Sequence, residues 1–273
     1  MAMTRRLRRA ARAPIPVQTL DLAPRALRYR GVAVQSVLRG EIAEVATHLV
    51  SIQGSGRHAE PASSQHEVVW LVLAGRGRWR TRDAVHNLEA ESIARAPLGW
   101  PGELSAAAGQ TLHALRIRRR LRAQDREQLA KFPEHNQASF VRRFGDCPSY
   151  GEAIKSARTV SRTLLAENYV PRMAAGTVEA AGPDAVAAHR HPMLEQLFLG
   201  LAGNQATVTA DEAEVALPAF ALLHIPLGSN HGARVEAGKH LHYVWLDFFL
   251  NVEGQDWLKM HRPLEPAAAK RRS

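Results

Sequence analysis

The chain has 273 residues, 45% of them hydrophobic, one cysteine and a formal net charge of +10. That length and apolar content support one large core or two smaller ones, and a lone Cys147 excludes an intrachain disulfide and any cysteine-rich zinc site. The charge is concentrated at the ends: Arg5, Arg6, Arg8, Arg9 and Arg12 supply +5 and the tail from Arg262 supplies +3, leaving +2 on residues 15–261.

Basic ends of this kind act as solvated tails. With no helix-turn-helix, zinc finger or aromatic-basic platform between them, nucleic acid is not an expected partner. No apolar run approaches the roughly 18 residues of a membrane span, and MAMTRRLRRAARAP carries no apolar stretch behind its arginines. The expectation is a cytoplasmic protein without a membrane segment.

In chain order, residues 1–30 read as a basic arm. Residues 31–121 follow as a unit of short β-strands, among them VVWLVLAG, ARAPLG and TLHALRIR, separated by Gly, Pro, Asn and Asp. Residues 122–157 read as a helical connector, on the strength of RRLRAQDREQLAKF. A second strand-rich unit spans 158–250, with EQLFLGLAG, FALLHIPLG and HLHYVWLDFF, and 251–273 is a basic tail.

The two units are copies. Residues 66–102 lie over 194–232, with Glu67 on Glu195, Gly75 on Gly203, Pro97 on Pro226 and Gly99 on Gly228. Farther on, LHALRIR lies over LHYVWLD, so His113 meets His242. Short strands at this spacing indicate an antiparallel sandwich or small barrel, made twice.

Residues 188–196 read AHRHPMLEQ. On a strand, residues two apart point the same way, so His189 and His191 emerge side by side, about 7 Å apart at Cα. Pro192 breaks the strand and lets Glu195 turn back toward them. Imidazole and carboxylate are donors that first-row divalent metals accept. A second piece, PLGSNH at 226–231, places His231 after a tight turn.

Together these stretches resemble the cupin superfamily, whose first motif is a glycine, HxH, three or four residues, Glu and a later glycine, and whose second is PxGxxH. Gly182, His189, His191, Glu195 and Gly203 match the first; Pro226, Gly228 and His231 match the second. Gly182 stands one residue early, Gly203 one late, and Val235 replaces a frequent asparagine. The resemblance implies an all-β bicupin over residues 31–250: two tandem jelly-roll barrels joined by a short helical connector. It further implies one divalent transition metal (Fe, Mn, Ni or Zn) held by His189, His191, Glu195 and His231. Where the second unit has its histidines the first has Pro61, Ser63 and Gly102, which implies a metal-free barrel that packs against its neighbour or forms a dimer face.

Three residues are candidates to act beside the metal: His224, just before the turn, and His242 and Tyr243 on the last strand. Leu197 and Leu199 are expected to follow Glu195 inward, with Gln196 and Phe198 turned away. On the last strand either Tyr243, Trp245 and Asp247 or His242, Val244, Leu246 and Phe248 line the pocket. Three imidazoles and one carboxylate leave about +1 on a divalent ion, which suits a small, anionic or chelating oxygen ligand. The expected function is a metal-dependent enzyme on a small organic acid or hydroxylated metabolite, working as a homodimer. Iron-dependent dioxygenase chemistry ranks slightly ahead of an isomerase, decarboxylase or hydrolase using Mn, Ni or Zn. A ligand-binding or sensory bicupin is the reading from another class.

Overall fold

A computed structural model describes residues 15–254. Its strands form two barrels, each of one large and one small antiparallel sheet. In the first barrel the large sheet runs Phe140–Arg143, Ser92–Arg95, His66–Ala74, Thr111–Arg120, Val45–Gln53, Val32–Val37. The small sheet runs Arg57–Glu60, Gly102–Ala106, Arg76–Arg80, Val85–Glu89. The second barrel repeats this order. Its large sheet is Val17–Thr19, Ala221–Ile225, Leu194–Gly200, His240–Phe249, Met173–Ala181, Val160–Val170, Ser149–Tyr150, and its small sheet is Asp184–Arg190, Asn230–Val235, Gln205–Ala210, Ala213–Pro218.

The two kinds of sheet have different sequence patterns because they bury different faces. In Arg76–Arg80 the arginines are exposed while Gly77 and Trp79 are buried, the period-two signature of a sheet with one wet face. The central strands of the large sheets have no wet face, since the sheets stack against each other. Val69, Leu71, Leu73, Leu115 and Ile117 of the first barrel pack in one cluster with Leu197, Leu199, Val244, Leu246 and Phe248 of the second. The alternate residues fill the two interiors: Trp70 and Val72 in the first barrel, where they meet Trp79 of the small sheet, and Val178, Phe198, Leu223 and Tyr243 in the second. HEVVWLVLA is therefore almost continuously apolar, as a strand buried on both sides must be.

Each barrel is completed at one edge by chain that precedes the other in sequence. Val17–Thr19, within the stretch read as a basic arm, pairs with Ala221–Ile225 of the second barrel. Phe140–Arg143, within the stretch read as a helical connector, pairs with Ser92–Arg95 of the first. These crossings cover sheet edges that would otherwise expose unpaired backbone groups. The helix of the connector is short, Ala123–Lys131, because Pro133 follows Phe132 and bars its continuation. The rest of the connector is two 3-10 turns and two strands. The basic stretches at 1–14 and 255–273 lie outside the described residues.

Charged residues also bridge the barrels at the connector. Arg172, with φ of 56°, places its guanidinium on both oxygens of Asp125 at 2.6 and 2.7 Å and reaches Glu44 at 3.2 Å. Arg119 donates to the carbonyls of Arg172 and Phe249. Burial pushes the Arg119 guanidinium down to about 9, with the Arg172 charge adding to the effect.

Candidate metal centre

His189 lies on Asp184–Arg190 and His231 on the adjoining Asn230–Val235, directly across the ladder from one another. His191 follows at the end of the strand, where Pro192 stops the pairing. All three are buried, and their ring centroids stand 4.8 Å (189 to 191), 4.4 Å (189 to 231) and 5.3 Å (191 to 231) apart. One donor atom from each lies within 4.8 Å of the others. The turn that delivers His231 closes with Ser229 N–H donating to the Pro226 carbonyl at 3.1 Å, and Gly228 occupies a positive φ of 73° that a side chain would strain.

The histidine protons are fixed by the backbone. His189 Nδ1 faces the Ala187 carbonyl at 2.9 Å and His231 Nδ1 faces the Ser229 carbonyl at 3.1 Å. A carbonyl only accepts, so each Nδ1 carries the proton and each Nε2 keeps a lone pair. This arrangement orients metal-ligating histidines in general.

Glu195 is not with them. On Leu194–Gly200 the odd positions Leu197 and Leu199 pack into the inter-barrel cluster, and the even position Phe198 packs into the barrel interior. Glu195 shares the odd face, partly exposed, with its Oε1 3.7 Å from His224 Nε2. The inward residue is Gln196, buried, and it lines the same cavity as His189 and His191. The expectation that Glu195, Leu197 and Leu199 look inward is thus reversed by one residue of strand phase. Gln196 donates Nε2–H to Asp247 Oδ1 at 2.7 Å, which turns its carbonyl oxygen the other way and leaves that buried Oε1 without a hydrogen-bond partner.

Three aimed imidazoles and an orphaned amide oxygen fit a divalent transition metal. All four donors are neutral, so the ion would keep its full +2 charge, with the Asp247 carboxylate one hydrogen bond away. In the first barrel, Pro61, Ser63 and Gly102 border a space of only about 20 Å³, between Trp70, Trp79 and Trp100. Glu67, the counterpart of Glu195, likewise shares the odd positions of its strand with the inter-barrel residues Val69 and Leu71. It forms a buried two-pronged ion pair with Arg95 at 2.9 and 3.2 Å.

His189 and His191 open onto a cavity of about 700 Å³. Tyr243, Trp245 and Asp247 of the last strand line it, so Tyr243 stands where a catalytic side chain could act. Burial raises the pKa of Tyr243 far above the ordinary phenol value and keeps it protonated. His242 points to the opposite face, toward the first barrel, with Nδ1 3.8 Å from Glu91 Oε1. Burial pushes its pKa down, against the pull of the Glu91 and Glu179 carboxylates. His224 also faces that side, held by Glu41 at 3.2 Å as well as by Glu195. Neither His224 nor His242 reaches the cavity.

The far wall comes from the connector. Residues 151–155 run beside the His189 strand: Ala187 N–H donates to the Ile154 carbonyl at 2.7 Å and Lys155 bridges to Val186. Lys155 is nearly enclosed, paired with Glu152, 3.0 Å from Ser161 Oγ and 5.0 Å from the Tyr150 ring centroid. Burial pushes its pKa down, with Glu152 opposing. Sequence reasoning missed Gln196 and Lys155. The permitted gap of four residues after His191 was the signal for Gln196; Lys155 had none.

No protein-family model and no curated protein matches the sequence. Solved structures do. The chain is similar to a putative glyoxylate-induced protein from Pseudomonas aeruginosa, at 14% identity over 80% of each chain and a TM-score of 0.67. It is similar to a cupin 2 conserved barrel domain protein from Leptotrichia buccalis, at 11% identity over 80% of this chain and 88% of that one, with a TM-score of 0.53. An oxalate decarboxylase from Lactobacillus farciminis in complex with formate aligns at 14% identity over 85% and 87%, with a TM-score of 0.59. At such identities the likeness is one of fold. The chain has the cupin fold twice, in the tandem arrangement of a bicupin.

Proposed function

We propose that this protein is a metal-dependent enzyme acting on a small organic acid inside the second barrel. The observation that carries the reading is the convergence of His189, His191 and His231, the first two lining a cavity that also contains a buried lysine. The three Nε2 atoms and Gln196 Oε1 would hold the ion. When bound, such an ion polarises a substrate oxygen as a Lewis acid, or, if it is iron, couples the substrate to dioxygen.

The chain's own groups supply the rest. The Lys155 ammonium is positioned to bind a carboxylate, and its burial strengthens that attraction by excluding water. Phe198, Leu165 and Val178 make an apolar wall of the site. Tyr243, protonated, offers an O–H; Lys155 with Glu152 offers a proton that moves within a pair. A cavity with several proton-carrying groups favours isomerisation or decarboxylation. The aromatic side chains Phe198, Tyr243 and Trp245 favour a second reading, iron-dependent oxygenative cleavage of a ring acid. No described helix is long and apolar enough to cross a membrane.

The test is elemental analysis of protein purified with and without air, followed by a panel of small acids that begins with oxalate. Turnover should depend on bound metal and vanish in His191→Ala. Oxygen uptake coupled to turnover selects the oxygenative reading. A chain that holds less than about a tenth of an equivalent of any transition metal after reconstitution sinks both.

A further inference from the structure

The outer face of the second barrel carries another set of donors, separate from the cavity. His240 and His242 are two apart on the last strand and share its outward face, while Leu241 and Tyr243 between and beyond them fill the interior. Glu179 lies directly across the ladder from His242 on Met173–Ala181. One donor atom each from Glu179, His240 and His242 lies within 4.8 Å of the others, and His240 Nε2 is 3.4 Å from Glu179 Oε1. The fourth side chain comes from the first barrel: Glu91, at the positive-φ corner between two of its strands, stands 3.8 Å from His242 Nδ1. In a tetrahedral site with bonds of about 2.0 Å, neighbouring donors are roughly 3.3 Å apart. His240 and Glu179 already stand at 3.4 Å, while Glu91, 3.8 Å from His242 and outside the three-residue group, would have to swing in to complete the site.

The internal repeat supplies a control. In the first unit the positions of Glu179, His240 and His242 are held by Ser51, Thr111 and His113, where Ser51 Oγ and His113 Nδ1 hydrogen-bond at 2.8 Å. A buried hydroxyl satisfies a structural histidine there. The second unit has instead a carboxylate and another imidazole on the same face, and a second carboxylate reaches in from the other barrel. Packing demands none of these three changes.

We propose that Glu91, Glu179, His240 and His242 form a second divalent-cation site of the zinc class, which clips the two barrels together at their seam. Two carboxylates and two imidazoles neutralise the ion and suit zinc, which takes N and O donors tetrahedrally. The site is independent of the cavity and of the function assigned to it, because the same strand presents Tyr243 inward and His242 outward.

The experiment is zinc titration of the tag-free full chain against a competing chelator, with elemental analysis and thermal unfolding. Wild type should take up two equivalents, His240→Gln/His242→Gln one, and the zinc-induced rise in unfolding temperature should shrink in that variant. Glu91→Gln, a partly exposed substitution that leaves both histidines in place, should weaken one of the two sites by at least about tenfold. His191→Ala should keep the seam equivalent, so loss of the cavity metal and loss of the seam metal are read separately. The proposal is overturned if the double variant binds as much zinc as wild type, or if Glu91→Gln leaves both affinities unchanged.

Discussion

Gln196 and Asp247 face each other across neighbouring strands, and the Gln196 amide donates to Asp247 Oδ1 at 2.7 Å. The nitrogen end of the amide is spent on the carboxylate, so the buried oxygen end, without a hydrogen-bond partner, is left facing away from Asp247 in the wall of the cavity that His189 and His191 also line. Substituting Asp247→Asn should therefore weaken metal affinity by about 10- to 100-fold, the usual effect of disturbing a ligand's supporting partner, and Gln196→Leu, which removes the donor itself, by at least as much. Chelator competition measures it, with circular dichroism as the folding control. Affinity within twofold of wild type in both variants would remove Gln196 from the ligand set.

Glu195 gives the complementary prediction. Its carboxylate lies on the seam beside His224, 22% exposed, outside the reach of the three imidazoles. Glu195→Gln should leave metal content unchanged and cost no more than about 1 kcal/mol, the range of a partly solvated ion pair. His191→Ala should abolish metal uptake. Metal lost in Glu195→Gln with the fold intact would return the carboxylate to the centre.

The contrast between these two neighbours shows what the sequence could carry. The repeat, both barrels and the three histidines were legible, because HxH on a strand and a Gly-bearing turn leave little geometric freedom. The choice between Glu195 and Gln196 was not. It depends on strand phase, and phase is read from polar-apolar alternation, which a strand buried on both faces lacks: Leu197 and Leu199 serve the seam as Phe198 serves the interior. His242 and Tyr243 were ambiguous for the same reason. The edge strand Val17–Thr19 and the Lys155 wall were hidden differently, since each is placed by pairing with chain about 30 to 200 residues away rather than by local pattern.

The Asp125 and Arg172 pair, almost wholly enclosed at 0% and 2% side-chain exposure, should be a large contributor to the seam. Asp125→Ala removes the two-pronged partner of a buried guanidinium and leaves it the single carboxylate contact with Glu44, so it should cost about 3 kcal/mol, the low end for breaking a buried pair, in urea unfolding at neutral pH. Burial alone would raise the Asp125 pKa, but the hydrogen bonds from Arg172 and Arg122 N–H outweigh it and hold the carboxyl below its usual value of 3.8. A depressed carboxyl stabilises the fold above its unfolded pKa and loses that contribution as pH falls through the folded value. The stability gap between wild type and Asp125→Asn should thus be full at neutral pH and close below about pH 4. A gap independent of pH would mean that the carboxylate charge contributes nothing.

Lys155 offers the sharpest check on substrate class. If its ammonium binds a carboxylate, Lys155→Met should raise KM for the acid by about 10- to 100-fold with a smaller change in kcat, because a charged group left without a nearly enclosed partner costs more than a lost surface contact. The pH profile should follow the same group. Burial lowers the Lys155 pKa, so the ammonium is present at low pH and is lost as pH rises through a value below the ordinary 10.5. Anion affinity in wild type should fall across that range while Lys155→Met stays flat. Measured with the metal-loaded protein and oxalate or another turned-over acid, parallel profiles in the two proteins would exclude Lys155 as the carboxylate partner.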